Sequence, residues 1–155
     1  MPHLTVQSPV GSLSLVEEDG HLTRLDWRPA EGSEETPLLV EARKQLAAYF
    51  AGKLKRFDLP LALNGTRHQQ QVWLAMQGIP YGQTRSYSEV AHEIGSGPRA
   101  VGTACGRNRI AIIVPCHRIL GTSNNGIGGY SGGEGLTTKR FLLQLEHAAP
   151  LFAAA

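Results

Sequence analysis

The first quarter of the chain alternates. In "HLTVQS" (residues 3–8), "GSLSLVEE" (11–18) and "HLTRLDW" (21–27), alternating apolar and polar positions or β-favouring residues mark three short segments, as expected of strands with one buried face. "SPVG" and "EDG" between them supply turn residues, so the three form an antiparallel meander. After the loop "EGSEETP" the period changes to that of a helix. Leu39, Ala42, Leu46 and Tyr49 fall on one stripe, with Thr36 as N-cap, Pro37 at the first helical position and Gly52 at the stop. "FDLPLAL" (57–63) reads as a further extended piece. "NGT" (64–66) marks a boundary between two units, residues 1–64 and 65–155.

The second unit is patterned mainly as helices. Thr66 with Gln69 forms a capping box ahead of a helix whose inner face carries Val72, Ala75 and Met76, and Gly78 and Pro80 close it. Ser86 with Glu89 forms a second capping box. A short helix follows, with Val90, Ala91 and Ile94 inside and Gly95 at its end. "SGP" turns the chain, and Pro98 opens another helix running to about Arg107. Helix, Gly-containing turn, helix is the helix-turn-helix layout, which many non-binding helical pairs share. A Gly-rich loop (126–135) precedes a last helix with Phe141, Leu142 and Leu145 apolar, and "AAPLFAAA" (148–155) reads as a frayed tail. The chain is thus α+β: a small antiparallel sheet with a helix, then a mainly helical domain.

One stretch breaks this regularity. In "AIIVPCHRIL" (111–120), four apolar residues and a proline lead into Cys116, His117 and Arg118, where a buried strand is expected to end. A thiol is a nucleophile only as thiolate, and a base or cation must help to form it. Adjacency alone does not supply that base, because neighbours in an extended chain point to opposite sides. The ordinary alternative is a buried cysteine beside a surface histidine. Pro115 and the apolar anchor favour a mounted thiol instead. Glu146 stands near the end of the last helix, where the helix dipole disfavours a carboxylate. That cost calls for a partner such as His117, against the plain reading of a solvated glutamate. Asn108 fits a helix C-cap, Arg99 a first-turn cation that is either solvated or reaches DNA, and Cys105 a small core residue.

Composition narrows the class. The 155 residues carry a net charge of +2, but unevenly. Residues 1–66 hold seven Lys/Arg against nine Asp/Glu, and residues 67–155 hold eight against four. The second unit is therefore the one suited to phosphate, although ordinary surface solvation explains the same balance. No apolar run reaches the length of a membrane span. The start "MPHLTVQSPVG" lacks a signal-peptide layout, so the expected location is cytoplasmic, with reduced thiols. Two cysteines eleven positions apart, with no zinc-type spacing, predict no metal site; no cofactor is expected.

"IPYGQTRSYSEVA", "RAVGTACGRN", "VPCHRIL" and "GGYSGG…GLTTKRFLLQLE" stand in one order from about Gly65 to Glu146. Together they resemble the O6-alkylguanine-DNA alkyltransferases, and the amino-terminal part is similar to that family's ribonuclease-H-like domain. The resemblance implies single-turnover DNA repair, with Cys116 as alkyl acceptor, His117 as its base through a water, and Glu146 orienting the imidazole. It implies that Asn108 braces the turn and that Tyr87 hydrogen-bonds a flipped guanine. On the second helix of the pair, Arg99, as a finger in the base stack, would meet DNA with Ala100, Thr103 and Arg107. Ile119, Tyr130, Ser131 and Ala111 would line the substrate pocket. The implied partner is alkylated double-stranded DNA, entered from the minor groove by a monomer. His68 stands where the family often has Phe, and the loop "GGEGLTT" is two residues longer than the compact form. Other readings are a non-catalytic binder of alkylated DNA, which would dispense with the cysteine; a sequence-specific regulator, which would need neither Cys116 nor Glu146; and a Cys–His hydrolase, which would turn over.

Overall fold

The computed structural model describes residues 1–147, so the expected tail at 148–155 lies outside the described residues. The chain divides into two compact units between Leu63 and Asn64. In the first, β1 (His3–Ser8), β2 (Gly11–Glu18) and β3 (His21–Asp26) form an antiparallel sheet in the order β1-β2-β3. Leu4 and Val6 of β1 and Leu13 and Leu15 of β2 are buried, following the alternation. β3 carries its leucines three apart, which a regular strand would send to opposite faces. A bulge opposite Val16 and Glu17 adds a residue to β3, and both Leu22 and Leu25 are buried.

Helix α1 (Pro37–Phe50) lies against β1 and β2. Its buried stripe is Leu39, Ala42, Leu46 and Tyr49, and Thr36 caps it by accepting from the Leu39 amide at 3.1 Å. The extended piece before the boundary joins the sheet region through a bridge, with Leu22 and Ala62 each donating across it.

The second unit is built on α2 (Arg67–Gln77), α3 (Tyr87–Ile94) and α4 (Pro98–Gly106). Both predicted capping boxes are present, Thr66 with Gln69 and Ser86 with Glu89. The inner face of α2 includes Trp73 as well as Val72 and Met76, while Ala75 is only half-buried. The Trp73 indole donates to the Ala104 carbonyl of α4 at 2.9 Å, so the large ring is buried with its N–H satisfied. His68 is half-buried and its ring is bonded to the Ser96 hydroxyl at 2.8 Å. Gly95 ends α3 in the left-handed conformation, and the chain turns at once into α4.

The apolar run before Cys116 is not a strand. Residues 110–115 form a buried turn, with Ile112 at φ 73° and the Val114 amide bonded back to the Ile110 carbonyl. A 3-10 turn, Cys116–Arg118, follows. Four apolar residues suit any buried backbone and do not specify its conformation. Only then does the chain extend, as β5 (Ile119–Leu120), parallel to β4 (Arg85–Ser86). A distorted single turn, α5 (Ser123–Gly126), leads through the Gly-rich loop to α6 (Leu136–Leu145). The buried face of α6 is Thr138, Lys139, Leu142 and Leu143, with Phe141 and Leu145 half-buried. Two polar residues thus occupy positions where apolar periodicity expects none.

The Thr66 capping box satisfies two of the orphan amides of α2. Thr66→Ala is expected to cost about 1 kcal/mol, measured as a lowered urea midpoint with the fluorescence of Trp73 as probe.

Candidate active site

The centre of the site is the 3-10 turn. In an extended strand, residues 117 and 118 would diverge; here both are buried and reach the same carboxylate. His117 Nε2 lies 2.7 Å from Glu146 Oε2. Arg118 donates from Nε to Glu146 Oε1 at 2.8 Å and from Nη2 to Oε2 at 3.0 Å. Its Nη1 donates to the Ile79 carbonyl at 2.7 Å, and its guanidinium lies 5.9 Å from the Tyr81 ring centroid. The Tyr81 hydroxyl donates to the Leu145 carbonyl at 3.2 Å, holding the end of α6.

Burial opposes ionisation of Glu146, but the hydrogen bonds and charges of His117 and Arg118 outweigh it and hold the carboxyl below the usual range. Burial pushes His117 down, against the pull of Glu146. We take the ionised Glu146 paired with Arg118, beside a neutral imidazole, because the guanidinium already supplies the counter-charge. Facing a carboxylate, neutral His117 keeps its proton on Nε2 and its lone pair on Nδ1. Nδ1 has no hydrogen-bond partner among the described residues.

Cys116 follows Pro115, and its amide bonds to the Val114 carbonyl at 2.9 Å. Its thiol is pushed up by burial, with the Asn108 amide, Lys139 and Tyr130 pulling it back, so it rests protonated. Asn108 holds the turn before it from both ends. Its Nδ2 donates to the Val114 carbonyl at 2.8 Å, and its Oδ1 accepts from the Ile110 amide at 3.0 Å.

A pocket of about 340 Å³ opens over the thiol, lined by Tyr87, Gly102, Cys105, Gly106, Cys116, Gly129, Tyr130 and Ser131. Burial raises the Tyr87 phenol to about 12 and the Cys105 thiol to about 12, so both stay protonated at neutral pH. The Tyr130 phenol is also raised by burial, with the Cys116 thiol adding to the shift. Ile119 and Ala111 do not line this pocket. Ile119 is fully buried with its carbonyl taken by Lys139, and Ala111 is buried in the turn. Tyr87 and Gly102 also border a groove of about 800 Å³ that includes Arg99 and Thr103. Arg99, Ala100, Thr103 and Arg107 are all exposed on or just after α4, although Ala100 and Arg107 lie outside the groove lining.

Lys139 is the residue that sequence reasoning missed. It is 0% exposed, and its Nζ donates to the Ile119 carbonyl at 2.7 Å and the Gly129 carbonyl at 3.0 Å. Burial lowers it to about 8, with the two thiols opposing. It pins β5 to the loop that carries Tyr130 and Ser131. A lysine two positions from Thr137 and three from Leu142 gave no periodic signal; its partners are backbone carbonyls, which no side-chain pattern reveals.

Among the described residues no group of three or more His, Cys, Asp or Glu could hold a metal ion, and no helix is long and apolar enough to cross a membrane. Residues 67–148 match the 6-O-methylguanine DNA methyltransferase DNA binding domain, and residues 2–63 match the ribonuclease-like domain of the same family. The chain belongs to the 6-O-methylguanine DNA methyltransferase family. A constitutive methylated-DNA–protein-cysteine methyltransferase of Bacillus subtilis is 43% identical over 93% of this chain and 94% of its own length. One from Mycolicibacterium paratuberculosis is 48% identical over 92% of this chain and 90% of its own. A crystal structure of Mycobacterium tuberculosis OGT in complex with DNA superposes with a TM-score of 0.81 at 48% identity, covering 94% of this chain and 92% of that one.

The shift of His117 sets a pH dependence. The unfolded histidine binds its proton near pH 6.5, and the buried one binds it only at lower pH. Below about pH 6.5 the unfolded state therefore takes up more protons, and stability falls with acid. Glu146 adds a loss of the same sign further down, as pH drops below the ordinary carboxylate range toward its depressed value. The melting temperature is expected to fall from pH 7 to about 5, and His117→Gln should flatten that slope; an equal slope in both proteins would remove His117 as its source.

Proposed function

We propose that this protein repairs duplex DNA by transferring the alkyl group of O6-alkylguanine, and of O4-alkylthymine, to Cys116, once per molecule. One observation carries this reading: the Cys116 thiol opens to a pocket whose rim residue Tyr87 also borders the groove holding Arg99 and Thr103. A base leaving the duplex over that groove would enter the pocket toward the sulfur. Residues 65–155 form the DNA-binding alkyltransferase domain in this reading, and residues 1–64 the ribonuclease-H-like domain. The protein acts as a monomer in the cytoplasm, and α4 enters the minor groove.

The target carbon lies inside the helix, so the nucleotide must flip at a cost of a few kcal/mol. Arg99 fills the space it leaves, while Ala100, Thr103 and Arg107 contact the backbone and groove. The Cys116 proton passes through a water to His117 Nδ1, whose tautomer is held by Glu146. The sulfur attacks the alkyl carbon in line as the bond from that carbon to O6 breaks. The electron pair stays on the guanine, where the protonated Tyr87 phenol donates to the leaving base and the Ser131 amide to its O6 side; the guanine takes up one proton through Tyr87 or water, balanced by the thiol proton that His117 received and returns to water. A thioether results, and no step returns the sulfur. Because the high resting thiol pKa makes deprotonation the costly stage, the base is needed for transfer.

Intact mass spectrometry after incubation with a duplex carrying O6-methylguanine tests this. One added methyl group is expected, mapping to Cys116 and absent in Cys116→Ser; repeated turnover would end the single-use mechanism. An unmodified protein bound tightly to the duplex would favour a non-catalytic binder. Arg99→Ala is expected to slow reaction with the duplex by about tenfold or more relative to reaction with the free alkylated base, given the cost of flipping. Equal losses on both substrates would contradict the finger role.

A further inference from the structure

Residues 79–82, Ile-Pro-Tyr-Gly, take no part in the transfer steps above, yet they bear directly on the group formed by His117, Arg118 and Glu146. The Ile79 carbonyl accepts from Arg118 Nη1 at 2.7 Å. The Tyr81 hydroxyl donates to the Leu145 carbonyl at 3.2 Å, one residue before Glu146. Gly82, at φ 83°, lies so close to Glu146 that an added Cβ would stand 3.2 Å from its carbonyl oxygen. The segment thus meets Arg118 at its guanidinium and Glu146 at its backbone.

Tyr81 is the member that reaches both. Its ring centroid is 5.9 Å from the Arg118 guanidinium, inside the distance of about 6 Å at which an aromatic face attracts a cation. Arg118 and Glu146 are buried while Tyr81 is half-buried, so the ring stands between that ion pair and water. The phenol registers both charges: burial raises it, Glu146 adds to the shift and Arg118 opposes it.

His117 can take the thiol proton only while it is neutral. Glu146 and Lys139 face it from α6, and Arg118 and Cys116 flank it on its own turn. Tyr81 stands behind Glu146 and Arg118, and α2, which also packs on the turn, buries only the uncharged Val72, Trp73 and Met76. Burial, Arg118 and Lys139 disfavour the imidazolium, and Glu146 favours it. Admitting water beside the group weakens the largest of these, burial, and loosening Arg118 weakens the second. Both changes let the imidazole hold a proton at higher pH.

We propose that Tyr81 is a positioning residue for alkyl transfer: its ring holds Arg118 against Glu146 and closes the group to water, so that His117 stays ready for the Cys116 proton. This rests on the alkyltransferase reading above. Tyr81 lines neither the groove nor the pocket, and it acts only through Arg118 and Glu146.

The test is the rate of methyl transfer from a saturating duplex carrying O6-methylguanine, followed by intact mass across pH. In Tyr81→Leu the rate is expected to fall about tenfold near pH 6 and less than about twofold near pH 8, the pattern of a base that now holds its proton about one pH unit higher. Duplex affinity should be unchanged. Tyr81→Phe keeps the ring and loses only the bond to Leu145, so it should retain most of the wild-type rate at both pH values. Tyr81→Met removes the ring and serves if the leucine variant does not fold. An equal fall at both pH values, or the same loss in the phenylalanine and leucine variants, would mark a merely structural residue and overturn the proposal. A leucine variant with the wild-type profile would overturn it as well, and in each of these cases methyl transfer by wild type leaves the alkyltransferase reading standing. Wild type that transfers no methyl group would overturn that reading and the role of Tyr81 with it.

Discussion

The structure of the second unit depends on one buried carboxylate. Glu146 spends both oxygens on His117 and Arg118, and Arg118 passes the connection on to the Ile79 carbonyl. Three separate stretches meet there: the segment after α2, the 3-10 turn and the end of α6. A buried ion pair is costly to form, and breaking one by removing a partner costs about 3–5 kcal/mol because the other charge is left unpaired. The arrangement therefore resists partial change. It also fixes the ring of His117, because a carboxylate that must stay in place for Arg118 cannot turn away from Nε2.

That node explains why the reactive segment is irregular. A strand through residues 116–118 would have put the histidine and arginine on opposite faces, and only one could have met Glu146. The 3-10 turn lets both reach inward while Cys116 stays at the pocket. The preceding buried turn and the Gly-rich loop make few ladder bonds, yet buried carbonyls and amides must find partners. Side chains supply them. Asn108 serves the Ile110 amide and Val114 carbonyl, and Lys139 serves the carbonyls of Ile119 and Gly129. Asn108 and Lys139 thus play the part that sheet partners play elsewhere, at the sites where a regular sheet would have buried the thiol.

The features legible in the sequence are those whose causes are local. The meander follows from alternation, the α1 stripe from its helical period, and the helix starts from residues three apart in Thr66/Gln69 and Ser86/Glu89. The bulge that turns Leu22 and Leu25 to the same side is a property of strand pairing and left no mark in β3 alone. The run 111–114 was legible as buried but not in its shape, since the turn is held from Asn108, which bonds the Ile110 amide and the Val114 carbonyl. Glu146 was legible by its cost at a helix end. Lys139 was not, because burying it makes sense only once two carbonyls, ten and twenty residues away, converge on its Nζ. Positions 99, 100 and 103 of α4, and 107 just after it, entered through the resemblance as DNA contacts, and all four are exposed. The division between groove and pocket came only with the fold, through Tyr87 and Gly102.

A thiol held at the end of a pocket faces conflicting demands. It must survive unreacted until a substrate arrives, and then lose its proton quickly. Burial meets the first by keeping Cys116 protonated. The second cannot be met by a permanent strong cation against the sulfur, which would hold a thiolate at all times. Lys139 is near enough to favour the anion, but its donors are engaged with backbone carbonyls, and burial weakens its own hold on its proton. His117 meets the second demand in another way. It is neutral, its tautomer is fixed, and its free lone pair is on the nitrogen not occupied by Glu146. Once it takes the thiol proton, the imidazolium lies against a carboxylate that is already ionised, so the charge it gains is stabilised where it forms. The carboxylate that organises the fold is thus also the group that makes proton removal affordable, and the same residue cannot be altered for one purpose without disturbing the other.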